Sequence, residues 1–479
     1  MTRPLSFVAV DLGATSGRVM LACLEGGRVS MHATGRFANT PLTLPDGIHW
    51  NVPALYRGAL SGISVAFRES PTIASIGIDS WAVDYAMLRG DALLGLPFHY
   101  RDQRSHRGVN DVHASTPHSE LYQRNGLQFL HFNTLYQLAA ERANGMLEQA
   151  DTVLLIPDLI GYWLTGQRVA ERTNASTTGL LDVRTDRWDT DLARTVGVAS
   201  TQLPRLISPG DRVGSLRTAV AHEIGLPSSA TVVAVGSHDT ASAVAAVPLI
   251  SPDAAYISCG TWGLVGLELD GPVLSEDARI ANFTNERAVD GRIRFLTNAM
   301  GLWLLTETIR AWESTGENLD LSELLRAASA VNTPVSLIDT NDARFHTPGD
   351  QPNRIRDWCA EHGVPAPLGK AQTVRCIVDS IAESFANAVR TASSLAKVAV
   401  PAIHIVGGGS LNELLCQAVA DHSGLPVLAG PAEATSLGNV LVQAQAAGLI
   451  ADGAEDVRDV VRKSVELRRY EPRGWRESR

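Results

Sequence analysis

Apolar residues in this chain fall into short runs punctuated by glycine and hydroxyl-rich turns. The stretch FVAVDLGATSGRVMLACLE sets an apolar run on each side of such a turn, which predicts a β-hairpin with a third strand to follow. SIGIDSWAVDYAML predicts a strand ending at Asp79, and the apolar spacing from Leu135 to Met146 predicts a helix. VLLIPDLIGYWL, from Val153 to Leu164, reads as a buried helix: Pro157 and Asp158 interrupt it, and it is shorter than the roughly 20 residues that span a bilayer. TVVAVGSHDTASAVAAV passes from an apolar strand through a polar turn into an alanine-rich helix beginning near Ala241, with Asp239 at its start.

From Ala254 the pattern begins again. AAYISCGTWGLVGLEL is a second apolar strand, short turn and apolar strand, so the chain is expected to be two topologically similar halves meeting near Pro248 to Asp253. IVDSIAESFANAVRTASSLAKV places Ile377, Ile381, Phe385 and Val389 on one face of a long amphipathic helix, suited to line a cleft between the halves. AIHIVGGGSLNELLCQAVAD runs from a strand through three glycines into a helix, and the sequence after Asp452 is polar and charge-rich. The expected division is an N-terminal domain over 1–248, a C-terminal domain over 249–455 and a polar tail over 456–479.

Composition narrows this little. A chain of 479 residues is too long for one core, and 45% hydrophobic with 19% charged residues suits an enzyme or a binding protein equally. The formal net charge of −10 argues against a nucleic-acid partner. The basic cluster Arg468, Arg469, Arg473 and Arg476 is broken by Glu466, Glu471 and Glu477 and reads as a solvated tail. Cys23, Cys259, Cys359, Cys376 and Cys416 show no metal-ligand spacing, and the first apolar run begins at Phe7, leaving no room for a signal peptide. A reduced, cytoplasmic protein without a membrane anchor is expected.

Three turns carry candidate chemistry. DLGATSGR is either a plain glycine-rich hairpin or a cradle of amides for a phosphate; it matches neither a Walker loop nor a Rossmann turn. Asp11 within it is either a turn cap or a carboxylate that holds Mg²⁺ through water. CGTW offers Gly260 and Thr261 at the corresponding place of the second half, and VGGGS offers backbone at Gly407, Gly408 and Gly409 to a flat group or an anion. Asp239 suits both a helix N-cap and the base of a phosphoryl transfer, and His238 either a structural group or a substrate contact. Trp81 and Asp84, with Tyr100, Arg101, Asp102 and Arg104, offer sugar-binding chemistry or core packing, as do Asn133 and Asn298.

Together VAVDLGATSGRV, GIDSWAVDY, YRDQR, FNTLYQL, PDLIGYWLTG, RTNASTTGL, SHDTASAV, SCGTWGLVG, NFTNE, MGLWLL, VGGGSLNELLCQ and GPAEATSLGNV resemble, in order and over nearly the whole chain, the rhamnulokinases among the FGGY carbohydrate kinases. The resemblance implies an α/β fold of two RNase H-like, actin-like ATPase domains with ATP and Mg²⁺ in an interdomain cleft. It implies transfer of the γ-phosphoryl group to the 1-hydroxyl of L-rhamnulose. By the same resemblance Asp239 is the catalytic base; Ala82, His238, Asp239, Thr240 and Asn298 meet the sugar; Asp11 meets Mg²⁺ through water. Ala14, Thr15, Ser16, Gly17, Arg18, Thr261, Thr306 and Gly408 meet ATP. Two residues depart from the family: Ala82 stands where glycine is common, and Thr306 where glutamine is common. Another ketose such as L-fuculose or L-xylulose is the alternative substrate, and a non-catalytic sugar- or nucleotide-sensing protein the alternative of a different class. Against a DNA-binding regulator stand the acidic charge and the lack of a helix-turn-helix before the first strand.

Overall fold

In the computed structural model, which describes residues 5–70, 72–227 and 229–473, the runs flanking the first turn become strands β1 (Leu5–Leu12) and β2 (Ser16–Glu25), paired antiparallel. β3 (Arg28–Ala38) continues from β2, and β4 (Ile73–Ser80) lies parallel to β1 on its other side. β5 (Arg212–Ser215) and β6 (Thr231–Val233) complete a sheet in the order β5-β6-β4-β1-β2-β3. β1 is buried from Ser6 onward and β4 from Ser75 onward, as their near-continuous apolar runs require of central strands covered on both faces. The helix Val52–Glu69 lays its apolar stripe, with Leu55, Ala59 and Ile63 buried, against β2 and β3.

The second half repeats the theme. β7 (Ala255–Cys259) and β8 (Trp262–Leu269) form an antiparallel hairpin, and β9 (Ile293–Met300) lies beside β8. β10 (Ile403–Val406) runs parallel to β7, β11 (Val427–Ala429) parallel to β10, and β12 (Arg468–Tyr470) antiparallel to β11. The long helix Gly369–Ala396 buries Ile377, Ile381, Phe385 and Val389, the face that its spacing predicts.

The compact units are not contiguous stretches of sequence. One comprises Met1–Pro248, Glu268–Phe295 and Ala434–Ser464; the other comprises Leu249–Leu267, Leu296–Glu433 and Val465–Arg479. The expected division at 248 and 455 therefore differs by two returning segments, which pack with the first unit although they follow the second hairpin in sequence.

Four local expectations are corrected. Val153 to Leu164 is not one helix: Thr152–Leu155 is a strand, and the helix Ile156–Thr165 begins where Pro157 fits its first turn. The helix after the polar turn begins at Asp239, two residues before Ala241, with His238 in the cap position. The glycines of VGGGS lead into a 3-10 turn, Gly408–Leu411, and the α-helix Glu413–Ser423 starts only after Asn412, whose side chain accepts from Leu415 N at 3.1 Å. The polar tail is ordered over its described part. Helix Ala454–Ser464 buries Val457, Val460 and Val461, β12 pairs with β11, and Arg468 forms an ion pair with Glu413; Arg476 and Glu477 lie outside the described residues. Charge-rich composition concealed a one-sided apolar stripe and an edge strand. No helix among the described residues is long and apolar enough to cross a membrane, and all five cysteines are free thiols.

Candidate active site

Parallel pairing of β1 with β4 sets Asp11 beside Asp79, because residues in register on adjacent strands share a face. Asp11 is buried; its Oδ2 accepts from Arg18 Nε at 2.8 Å and from Ser436 Oγ at 3.3 Å, so it has local duties that its place at a strand end did not reveal. Asp79, fully buried, accepts from Asn439 Nδ2 at 2.5 Å, while Asn439 Oδ1 accepts from Gln443 Nε2 at 2.7 Å. Burial, and then the Asp11 charge, pushes the Asp79 carboxyl well above the usual carboxylate range against the pull of Asn439. Ser436, Asn439 and Gln443 all come from the helix Ala434–Ala446. Its Gly438 passes so close to the next helix that a Cβ there would sit 1.7 Å from Ser242 O.

That next helix, Asp239–Ala245, carries the expected base in its first turn. Asp239 is the partly exposed carboxylate of the group, its side chain 29% accessible, and Thr240 Oγ1 donates to its Oδ1 at 3.1 Å. Glu171 holds the approach to this turn: its Oε2 accepts from Ser237 N at 3.0 Å and Ser237 Oγ at 2.8 Å, and burial pushes its carboxyl up. A parallel bridge between Ser80 and His238 ties the turn to the end of β4. Asp11, His238, Asp239 and Thr240 are thus gathered in the first unit, with the buried Asp79 acting electrostatically on the group.

Ala82 is half-buried near the end of β4, and the backbone beyond it is strained. Val83 has φ of 69°, rare for a β-branched residue, and Asp84 N donates to Ala82 O at 2.9 Å, closing a tight turn. Asp84 is corrected as a sugar contact. It is buried and its oxygens are taken by Trp50 Nε1 at 2.5 Å, Trp81 Nε1 at 3.0 Å, Tyr100 N at 3.2 Å and Gln137 Nε2 at 2.9 Å. Burial raises it to about 6. Trp81 is likewise a core residue, with its ring 4.1 Å from that of Trp50. Asp102 accepts from Ile48 N at 2.9 Å, Arg104 pairs with Glu141 at 2.7 Å, and Asn133 donates to Gln128 O at 2.9 Å, so these three hold loops together.

The first glycine turn closes through Gly13 N donating to Ser16 O at 2.9 Å, leaving Thr15 and Ser16 exposed and Ala14 half-buried. Gly17 serves packing, since a Cβ there would lie 2.2 Å from the Phe37 ring. In the second unit the same division recurs. A Cβ on Gly407 would lie 2.9 Å from Cys259 O, and one on Gly409 2.3 Å from Cys259 Sγ, whereas Gly408 is exposed and faces open space. Leu302 N donates to Gly260 O at 2.9 Å and Trp303 N to Thr261 O at 3.2 Å. Thr261, Gly408 and the exposed Thr306, whose Oγ1 donates to Leu302 O at 3.0 Å, therefore belong to one end of the second sheet. Asn298 lies half-buried on β9 in the second unit.

Among the described residues no three His, Cys, Asp or Glu side chains are close enough to hold a metal directly. Carboxylate oxygens without an inner ligand cage suit a hard ion that keeps its waters, as Mg²⁺ does.

Asp79, Glu171, Ser436 and Asn439 were missed in the sequence. Asp79 repeats the Asp11 pattern, an acid at the end of an apolar strand, and Ser436 and Asn439 sit in the motif EATSLGN. Glu171 carries no comparable signal.

Residues 6–246 match the model of the FGGY family of carbohydrate kinases, N-terminal domain, and residues 255–447 that of its C-terminal domain. The chain is 44% identical over 474 residues to the rhamnulokinase of Pectobacterium carotovorum, covering 98% of this chain and 93% of the relative. It is 39% identical over 470 residues to that of Bacteroides thetaiotaomicron, covering 98% and 96%. In fold it is similar to a xylulose kinase from Lactobacillus acidophilus (TM-score 0.78, 17% identity, 98% of this chain and 94% of that one). Plasmodium falciparum glycerol kinase with ADP is similar to the same extent (TM-score 0.76, 15% identity, 98% and 94%).

Proposed function

This chain belongs to the FGGY family of carbohydrate kinases, with the two-domain, actin-like ATPase architecture of that family, and on that premise we propose that it transfers the γ-phosphoryl group of ATP to the 1-hydroxyl of L-rhamnulose. The products are L-rhamnulose 1-phosphate and ADP, a step of L-rhamnose breakdown in the cytoplasm, where ATP and free thiols are maintained. The observation that carries the reading is similarity over 98% of the chain to relatives named rhamnulokinase.

Asp239 is the base in this reading. Its carboxylate is partly open to solvent and oriented by Thr240, which supports a role in turning the sugar hydroxyl and taking its proton late in a loose transition state. Ala82, His238, Thr240 and Asn298 hold the sugar. The exposed turn at Thr15 and Ser16, within Ala14, Thr15, Ser16, Gly17 and Arg18, meets the phosphates, and Thr261, Thr306 and Gly408 meet the nucleotide. Asp11 holds Mg²⁺ through water; the ion, when bound, offsets phosphate charge.

The test is ADP release by purified protein with Mg·ATP and separately L-rhamnulose, L-fuculose, L-xylulose, D-xylulose, glycerol or buffer. Strong preference for L-rhamnulose is expected. Preference for another ketose keeps the chemistry and turns attention to Ala82, whereas hydrolysis independent of sugar overturns the kinase reading.

A further inference from the structure

Val83 is buried at a φ of 69°, and the hydrogen bond from Asp84 N to Ala82 O makes residues 82 to 84 a γ-turn of the rare, strained hand. A β-branched side chain makes that φ costlier still, and such a conformation persists only where its surroundings over-determine it. Here they do. On one side Trp81 N donates to Leu12 O at 3.2 Å and Ser80 Oγ to Trp81 O at 2.7 Å. On the other, Ile156 N donates to Asp84 O at 3.2 Å, and four donors fix the Asp84 side chain. The middle residue is held by the buried Thr134, whose Oγ1 donates to Val83 O at 2.7 Å from the first turn of the helix Thr134–Ala143.

The place of the turn gives the strain a use. Ser80, two residues before Ala82, bridges to His238, and its N donates to Ser237 O at 2.9 Å, so the γ-turn and the turn that carries Asp239 are tied to one strand end. Among the described residues neither Ala82 N nor Val83 N donates to a protein acceptor, which leaves two donors for a ligand oxygen. Glycine at this position would adopt the same φ without strain, whereas valine needs a hold. We propose that Thr134 is a positioning residue for the sugar: its hydroxyl pins Val83 at positive φ and thereby sets the Ala82 backbone that the sugar meets. The inference rests on the reading of Ala82 as a sugar contact.

The test is steady-state kinetics with L-rhamnulose and ATP. Thr134→Val removes the hydroxyl and keeps the shape; it is expected to raise KM for L-rhamnulose about 10-fold while kcat and KM for ATP stay unchanged, the pattern of lost sugar binding alone. Thr134→Ser keeps the donor and should keep the original KM. In a Val83→Gly background, where the turn needs no hold, adding Thr134→Val should leave KM for the sugar where Val83→Gly alone puts it. An unchanged KM in Thr134→Val overturns the proposal. So does an equal rise in both backgrounds, or a rise in Thr134→Ser as large as in Thr134→Val, since either would reduce the hydroxyl to general packing. If the unaltered protein prefers another ketose, the same comparison with that ketose decides. Failure to phosphorylate any ketose overturns the kinase reading and the proposal with it, whereas an active protein whose sugar KM ignores Thr134 overturns the proposal alone.

Discussion

The two sheets share a plan and differ in what they carry. Each opens with an antiparallel hairpin and sets a later strand parallel to the first, β4 beside β1 and β10 beside β7. In the first unit the paired strand ends bear carboxylates, Asp11 and Asp79. In the second, the corresponding ends run into Cys259, Gly260 and the glycines at 407 to 409. Carboxylates in a buried place need donors, and the helix Ala434–Ala446 brings Ser436 and Asn439 to supply them. A glycine loop needs only the absence of a Cβ, and the backbone of a neighbouring strand suffices to shape it. The same scaffold therefore takes charge chemistry at the expense of a dedicated supporting helix, and backbone recognition without one.

The sharpest break is Asp239→Asn. If the first unit contributes charge chemistry, kcat falls by about 10²- to 10⁴-fold while the unfolding temperature and ATP affinity, by calorimetry, stay put. Next comes Gly438→Ala, which drives a methyl into the Ser242 carbonyl. Neither backbone can yield, so a loss of about 3 kcal/mol in urea unfolding and a drop in kcat are expected together. An intact kcat would show that the supporting helix does not set Asp239.

A third test uses pH. Asp84, raised by burial from 3.8 to about 6, contributes stability that is complete below its unfolded value and is lost as pH rises through 6. Between pH 4 and 6.5 the unaltered protein should lose about 2 kcal/mol relative to Asp84→Asn. Parallel stability curves would mean that Asp84 titrates as an ordinary carboxyl.

The smallest effects divide the glycine loop. Gly409→Ala meets Cys259 Sγ and should cost about 1 to 3 kcal/mol. Gly408→Ala faces open space and should leave stability within about 0.5 kcal/mol while raising KM for ATP. Equal stability losses in the two variants would erase the distinction between packing glycine and binding glycine.

Sequence alone determined both hairpins, the face of the helix Gly369–Ala396 and the family, because each rests on local periodicity or on motifs whose residues are near one another in the chain. It also singled out Asp11, His238 and Asp239, acids and a histidine at the ends of apolar strands. It could not assign Asp84, since one carboxylate beside one tryptophan fits a sugar or a core, and only the four donors that converge on it decide. Nor could it place Ser436 and Asn439 with the first unit. Those residues lie in a segment that returns after the second hairpin, and burying a hydroxyl or an amide beside Asp11 and Asp79 depends on packing between elements up to several hundred residues apart. Periodicity reports which face of an element is buried; which partner a buried polar group meets is settled only when the elements are assembled.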